Sequence, residues 1–301
     1  MSSNQRGVTI VQKPTIGFIG LGQMGSQMVQ CLQNNGYDLV VMGRKKSATD
    51  PVIARGGKVV KTPKELAELS DIIMLCVTTS DVVESLVYGN EGILAGIKPG
   101  SILIDYGTSI PSSTQKIGAD LSNKGVGMID APLGRTPAHA RDGMLNIMAG
   151  GERNTFDKVK AILEIQGENI FYLGDLGAGH VTKLINNFMG MTTVCALSQA
   201  FAIAQRAGVD CAQLYDIMSS GPSNSPFMSF CKKYAVDGVS DLGFSIENAN
   251  KDVNYFLDLT KNLGARSEIA EGTSNNLGAA VAAGLGEKNV PEIFDMFLKN
   301  G

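Results

Sequence analysis

Three groups of residues in this 301-residue chain have types and spacing suited to chemistry. The first is Gly20-Leu21-Gly22-Gln23-Met24-Gly25, a Gly-x-Gly-x-x-Gly run at the end of the apolar stretch 15–20. In such a run the first glycine permits a tight turn, and the second lets backbone approach a pyrophosphate. The third lets the next helix pack closely on the strand. The first N–H groups of that helix then face the anion. All six residues are therefore expected to bind a dinucleotide. The second group, Arg44-Lys45-Lys46, follows the next apolar stretch, 37–42. An NAD site carries an acid there for the ribose hydroxyls, and an acid would repel a 2′-phosphate. Arg44 and Lys45 attract one, so the reading is NADP(H) rather than NAD(H). A solvated basic turn is the plain alternative. The third group is Lys183 and Asn187, which share a helix face at i,i+4 spacing. On a largely apolar helix both need partners or a solvent-lined cleft. A cleft beside a nicotinamide fits the pair, and a lysine snorkelling from a domain boundary fits it equally.

The elements that must position these residues change character along the chain. Strand patterns at 15–20, 38–42, 58–60, 72–77, 101–105 and 127–131 alternate with helical ones such as 62–70 and 80–88. This alternation predicts an α/β fold, a doubly wound, mostly parallel Rossmann sheet. Thr62-Pro63 reads as a helix cap followed by proline at the first helical position. Stretches 145–149 and 169–173 add possible strands. Val77 and Thr78 end a strand at the carboxyl edge, where ligands bind in such sheets, and should line the cofactor pocket. Beyond residue 177 strand signals almost vanish. Residues 178–207 read as one long interdomain helix, too apolar all round for a single exposed face. Helices at 211–219, 224–235, 246–263, 269–283 and 290–299 follow. The expected domains are 14–177, which binds NADP, and 178–301, all-α, which carries substrate residues.

Composition narrows the function. A formal net charge of −3 leaves no overall electrostatic footprint for nucleic acid. Cysteines 31, 76, 195, 211 and 231 form no Cys-x-x-Cys and no disulfide framework, which suits reduced thiols in the cytoplasm. His139 and His180 are the two histidines, with no metal-ligating pattern around them. Residues 1–13 are polar and unlike a signal peptide. No run of about 18 apolar residues suggests a membrane span.

The order of motifs resembles the β-hydroxyacid dehydrogenase family, which includes 3-hydroxyisobutyrate dehydrogenase and semialdehyde reductases. The resemblance covers nearly the whole chain. It rests on Gly17–Gly25, Asp105-Tyr-Gly-Thr-Ser-Ile-Pro111, Asp130-Ala-Pro-Leu-Gly-Arg-Thr136, Gly143–Gly151, Gly177–Asn187 and Lys251-Asp252. It implies a Rossmann domain, a long interdomain helix and an all-α domain that dimerises, so a homodimer or homotetramer. It also implies that Lys183 is the catalytic acid, that Asn187 orients substrate, and that Lys251 serves both cofactor and substrate. A lysine suits carbonyl reduction, because an ammonium stabilises the oxygen's growing negative charge and supplies its proton.

The chain departs from the family pattern at two places that bear on substrate. Gly107 stands where a serine is usual and offers only its backbone N–H. Gly134-Arg135-Thr136 replaces the usual Ser-Gly-Gly loop that holds the substrate's acid group, and resembles the loop of sulfolactaldehyde reductase. A guanidinium fork suits a tetrahedral oxyanion. The expected substrate is thus a small aldehyde or ketone bearing a sulfonate or phosphonate, as in 3-sulfolactaldehyde or 2-oxopropylphosphonate. Two alternatives stand. Arg135 faces solvent or pairs with an acid such as Asp142, and the substrate is an ordinary carboxylate semialdehyde. Or the chain is a non-catalytic NADP-binding module, which the presence of Lys183 disfavours.

Overall fold

The computed structural model describes residues 13–299. They form two compact units, 13–107 with 113–176, and 108–112 with 177–299. The chain leaves the first unit after Gly107, lends residues 108–112 to the second, and returns.

The first unit is built on nine strands, β1 (Ile16–Ile19), β2 (Leu39–Met42), β3 (Lys58–Val59), β4 (Ile72–Leu75), β5 (Ile102–Asp105), β6 (Gly127–Asp130), β7 (Leu133–Gly134), β8 (Leu145–Gly151) and β9 (Gly167–Tyr172). Their order is β3-β2-β1-β4-β5-β6-β8-β7, with β9 paired to β8. The first six are parallel; β8 runs antiparallel to β6 and β7. The Rossmann-like sheet is therefore mixed, with a hairpin at its far side. Helices α1 (Gln23–Asn34), α2 (Lys46–Ala54), α3 (Pro63–Glu68), α4 (Ser80–Tyr88), α5 (Ile93–Gly96), α6 (Pro111–Ser122), α7 (Pro137–Arg141) and α8 (Arg153–Gln166) connect the strands.

Period-two alternation divides the strands between two cores. Ile16, Phe18, Val41, Met74, Ile104 and Ile129 face one of them, with Met28 and Leu32 of α1 and Phe156, Val159 and Leu163 of α8. Ile19, Val40, Ile73, Leu75 and Leu103 face the other, with Leu66 of α3, Val83 of α4 and Ile117 of α6. Thr62 caps α3 by accepting from the Glu65 N–H at 3.2 Å, with Pro63 opening the helix. Register aligns Met42, Ile19, Leu75, Asp105 and Asp130 side by side. The carboxyl ends of five strands thus open on one edge, where such sheets hold ligands.

The second unit is helical, with α9 (Ala178–Arg206), α10 (Cys211–Ser219), α11 (Pro226–Asp237), α12 (Ile246–Asn262), α13 (Glu268–Ala280) and α14 (Phe294–Lys299). A π-helical segment, Val281–Leu285, is kinked at Gly284, whose φ of 82° is not helical. A 3-10 turn, Val290–Ile293, precedes α14, where the sequence pattern suggests one continuous helix. Met191, Val194, Phe201 and Ala202 of α9 are buried with Met228 of α11, Val253 of α12 and Leu277 of α13. By length and composition α9 does satisfy the requirement for a membrane span, contrary to the sequence expectation, but 56% of its apolar stretch is buried inside the protein. It reads as a core helix packed on several sides.

Candidate active site

The glycine run turns sharply between β1 and α1. Gly20 has a φ of 108°, and a Cβ there would lie 2.2 Å from the Cys76 carbonyl oxygen. A Cβ on Gly25 would lie 1.8 Å from the Gly20 carbonyl oxygen, so the first turn of α1 sits directly on the loop. At Gly22 the reverse holds, because a Cβ would meet nothing within 4 Å. Gly22 is the N-cap of α1, with no side-chain cap and no acid in the first turn. The N–H groups of Gln23, Met24 and Gly25 therefore stand at an open helix N-terminus, a cradle that fits a pyrophosphate. A groove of about 480 Å³ continues from it, lined by Gly22, Gln23, Ser26, Lys45, Ser47 and Arg55 among others. Arg44 and Lys45 follow β2 and are exposed. Neither side chain has a hydrogen-bond or ion-pair partner among the described residues, whereas Lys46 is paired with Asp50 at 2.9 Å. Val77 and Thr78 follow β4 on the same edge. Gly20, Leu21, Gly22, Gln23, Met24 and Gly25 would hold the phosphates of an NAD(P) cofactor, and Arg44 and Lys45 its adenosine end.

Further along this edge, Asp105 and Asp130 are fully buried at adjacent strand ends. Asp105 Oδ1 accepts from the Gly107 N–H at 2.8 Å. Gly107 is itself buried, and the amide that the sequence reading offered to substrate is engaged by Asp105. Gly134, Arg135 and Thr136 turn from β7 into α7. Arg135 has a φ of 77°, the one non-glycine residue at positive φ among the described residues. The left-handed region costs an L residue roughly 1–2 kcal/mol. The Arg135 Nη1 donates to the Met144 carbonyl at 2.6 Å and pairs with the Glu168 carboxylate. The acid partner is thus Glu168, not Asp142, which is paired with Arg141. Thr136 Oγ1 and His139 Nδ1 are 2.7 Å apart.

In the second unit a buried carboxylate organises the cationic residues. Asp252 is 2% exposed. Its Oδ2 accepts from Asn187 Nδ2 at 2.6 Å and its Oδ1 pairs with Lys251 Nζ at 2.6 Å. Lys251 Nζ also donates to the Thr108 carbonyl at 3.3 Å and lies 4.9 Å from the centre of the Tyr255 ring. Lys183 stands one helical turn before Asn187 on α9. Desolvation lowers its pKa below the usual lysine value and the Lys251 ammonium lowers it further, while Asp252 pulls it up. Two ammoniums with one carboxylate leave an excess positive charge, suited to an oxygen that becomes negative. His180 is buried in the first turn of α9.

Asn187, Lys183 and Lys251 are thus brought into one electrostatic cluster. Asp252 and Glu168 carry contacts to which sequence reasoning assigned no role. The adjacency of Asp252 to Lys251 was visible; nothing in the sequence around Glu168 pointed to Arg135.

Comparison with known proteins agrees with this geometry. Residues 15–174 match the family model for the NAD binding domain of 6-phosphogluconate dehydrogenase. Residues 177–297 match that for the NAD-binding of NADP-dependent 3-hydroxyisobutyrate dehydrogenase. An uncharacterised oxidoreductase of Shewanella frigidimarina is 33% identical over 256 residues, covering 85% of this chain and 88% of its own. The NAD-dependent L-serine dehydrogenase of Pseudomonas aeruginosa is 30% identical over 266 residues, covering 87% of each chain. The structure of Psf3 in complex with NADP+ and 2-OPP shares the fold, with a TM-score of 0.82 and 20% identity over 94% of this chain and 99% of that one. Both halves of the chain, the open phosphate cradle and the desolvated lysine agree: this is an NAD(P)-dependent oxidoreductase that belongs to the β-hydroxyacid dehydrogenase family of 3-hydroxyisobutyrate dehydrogenase-like enzymes.

Proposed function

We propose that the enzyme reduces, reversibly and with NADP(H), a small aldehyde or ketone that carries a sulfonate or phosphonate group. The observation that carries the reaction is the desolvated Lys183 in the field of Asp252 and Lys251. Lys183 holds the carbonyl oxygen through its ammonium, stabilises the charge that develops there and gives up a proton to it. The bound cofactor supplies the hydride. Asn187, fixed by Asp252, orients the substrate through its remaining amide groups, and Lys251 adds positive charge. NADP(H) is favoured because Arg44 and Lys45 are uncommitted at the end of β2 and no acid stands beside them.

Thr136 and the free side of the Arg135 guanidinium form the anion loop, supported by the fold shared with Psf3, whose structure holds NADP+ and 2-OPP. A second reading, a carboxylate semialdehyde, is favoured by the Arg135–Glu168 pair, which already supplies the guanidinium with a carboxylate. We further propose that the helical unit assembles into a homodimer or homotetramer, since it exposes Met189, Ile203 and Ile217; light scattering tests this.

NADPH consumption with sulfolactaldehyde, 2-oxopropylphosphonate, succinic semialdehyde and tartronate semialdehyde distinguishes the substrate readings. A kcat/KM for a sulfonate or phosphonate at least a hundredfold above the carboxylates, about 2.7 kcal/mol of transition-state binding, is the expected result. A preferred carboxylate would establish the second reading. Lys183→Ala is expected to bind NADPH normally and to lose about two to four orders of magnitude in kcat. Near-normal turnover would remove Lys183 from the chemistry.

A further inference from the structure

Arg135 is already half engaged before any substrate arrives. Its Nη1 is shared by the Met144 carbonyl, at 2.6 Å, and the Glu168 carboxylate. Met144 immediately precedes β8 and Glu168 lies near the start of β9, and these strands pair in parallel with Leu145 opposite Gly167. The guanidinium is thus pinned across the open end of one strand pair. Its Nε and Nη2 make no hydrogen bond among the described residues. Those two nitrogens form one edge of the planar fork, and that edge matches two oxygens of a single anion. The strained φ of 77° fixes the direction in which the side chain leaves the backbone. Glu168 therefore leaves the substrate an edge of the fork but cancels much of its charge.

We propose that Glu168 is a specificity-determining residue that biases the anion loop toward a singly charged oxyanion, a sulfonate, and against a doubly charged one, the phosphonate dianion. The inference rests on Arg135 being the anion donor. Glu168 and a singly charged substrate together already outweigh the one guanidinium charge, and a second charge on the substrate doubles its repulsion from Glu168 without adding a donor. Repulsion from Glu168 grows in proportion to substrate charge, whereas the number of N–H donors on the fork stays fixed. The pair is partly exposed, with 28% of the Arg135 side chain and 49% of the Glu168 side chain accessible. Screening at such a surface makes the bias modest and sensitive to salt.

The test uses the whole enzyme with NADPH and a matched pair of substrates that differ only in sulfonate against phosphonate, at a pH where the phosphonate is doubly ionised. Glu168→Gln keeps the side chain's size and removes its charge. It is expected to lower KM for the phosphonate about fivefold and for the sulfonate about twofold, with kcat little changed, and the gain should shrink as salt is raised. Arg135→Ala is expected to raise KM for both about tenfold or more. If Arg135→Ala raises KM but Glu168→Gln treats the two substrates alike, the role given to Glu168 is overturned while the anion loop stands. If Arg135→Ala leaves both KM values unchanged, the anion loop itself is wrong. Thermal unfolding of both variants separates a loosened hairpin, which would affect both substrates equally, from the charge effect, which would not.

Discussion

Asp252 touches Asn187 and Lys251 through its two oxygens and reaches Lys183 electrostatically. Its loss is therefore felt in the pH dependence of turnover. Reduction needs the Lys183 ammonium, so the rate falls as pH rises through the pKa of Lys183, which desolvation places below that of a solvated lysine. Asp252→Asn removes the charge that pulls this pKa up, and the falling limb is expected to move to lower pH. For the reverse oxidation, which needs the neutral amine, activity should appear at lower pH than in the wild type. The same desolvation makes the unfolded chain the better proton binder, so between the folded and the unfolded pKa of Lys183 stability rises with pH. Profiles of kcat against pH in both directions check this, and an unmoved limb would detach Asp252 from Lys183. At this scale the sequence was readable where partners are local. Asp105 and Gly107, two residues apart, form an Asx-type turn that their spacing permits, although the sequence reading gave the Gly107 N–H to substrate instead. Asn187 and Asp252 are 65 residues apart, and Arg135 and Glu168 are 33 apart, so only packing joins them.

Among the elements, the β1–α1 turn separates two uses of glycine that look identical in sequence. Gly22→Ala should fold as the wild type does, since its Cβ meets no protein atom within 4 Å, yet cofactor affinity should fall because the methyl group enters the cradle. Gly25→Ala should lose stability as well, by about 1–3 kcal/mol, because its Cβ collides with the Gly20 carbonyl. Thermal unfolding and cofactor titration of the two variants read these effects apart. Equal melting temperatures would overturn the distinction. The alternating sheet and long α9 were legible because their periodicity is strong and long. Strand β7 has only two residues and no pattern to display. Helix α2 was hidden by Pro51, which sits inside it. The strands expected at 145–149 and 169–173 are β8 and β9, whereas helix α8 between them, which buries Phe156, Val159, Ile162 and Leu163 at helical spacing, was not among the expected helices.

Taken whole, the molecule keeps all its proposed cofactor contacts on the first unit except Lys251. Ligand binding should stabilise that unit by mass action, by about 2.7 kcal/mol at a hundred times the dissociation constant. NADPH is expected to raise the melting temperature more than NADH at equal concentration, through Arg44 and Lys45, and Arg44→Ala should narrow the difference. A larger shift with NADH would reject the NADP reading. The excursion of residues 108–112 into the second unit has a consequence for the order in which the chain can mature. Thr108 finds the Lys251 ammonium only after α12 exists. During synthesis the ribosome must release more than 140 further residues, roughly seven seconds or more of translation, before this short segment meets its partner. A fragment cut at residue 177 would carry the same segment with no partner to wait for.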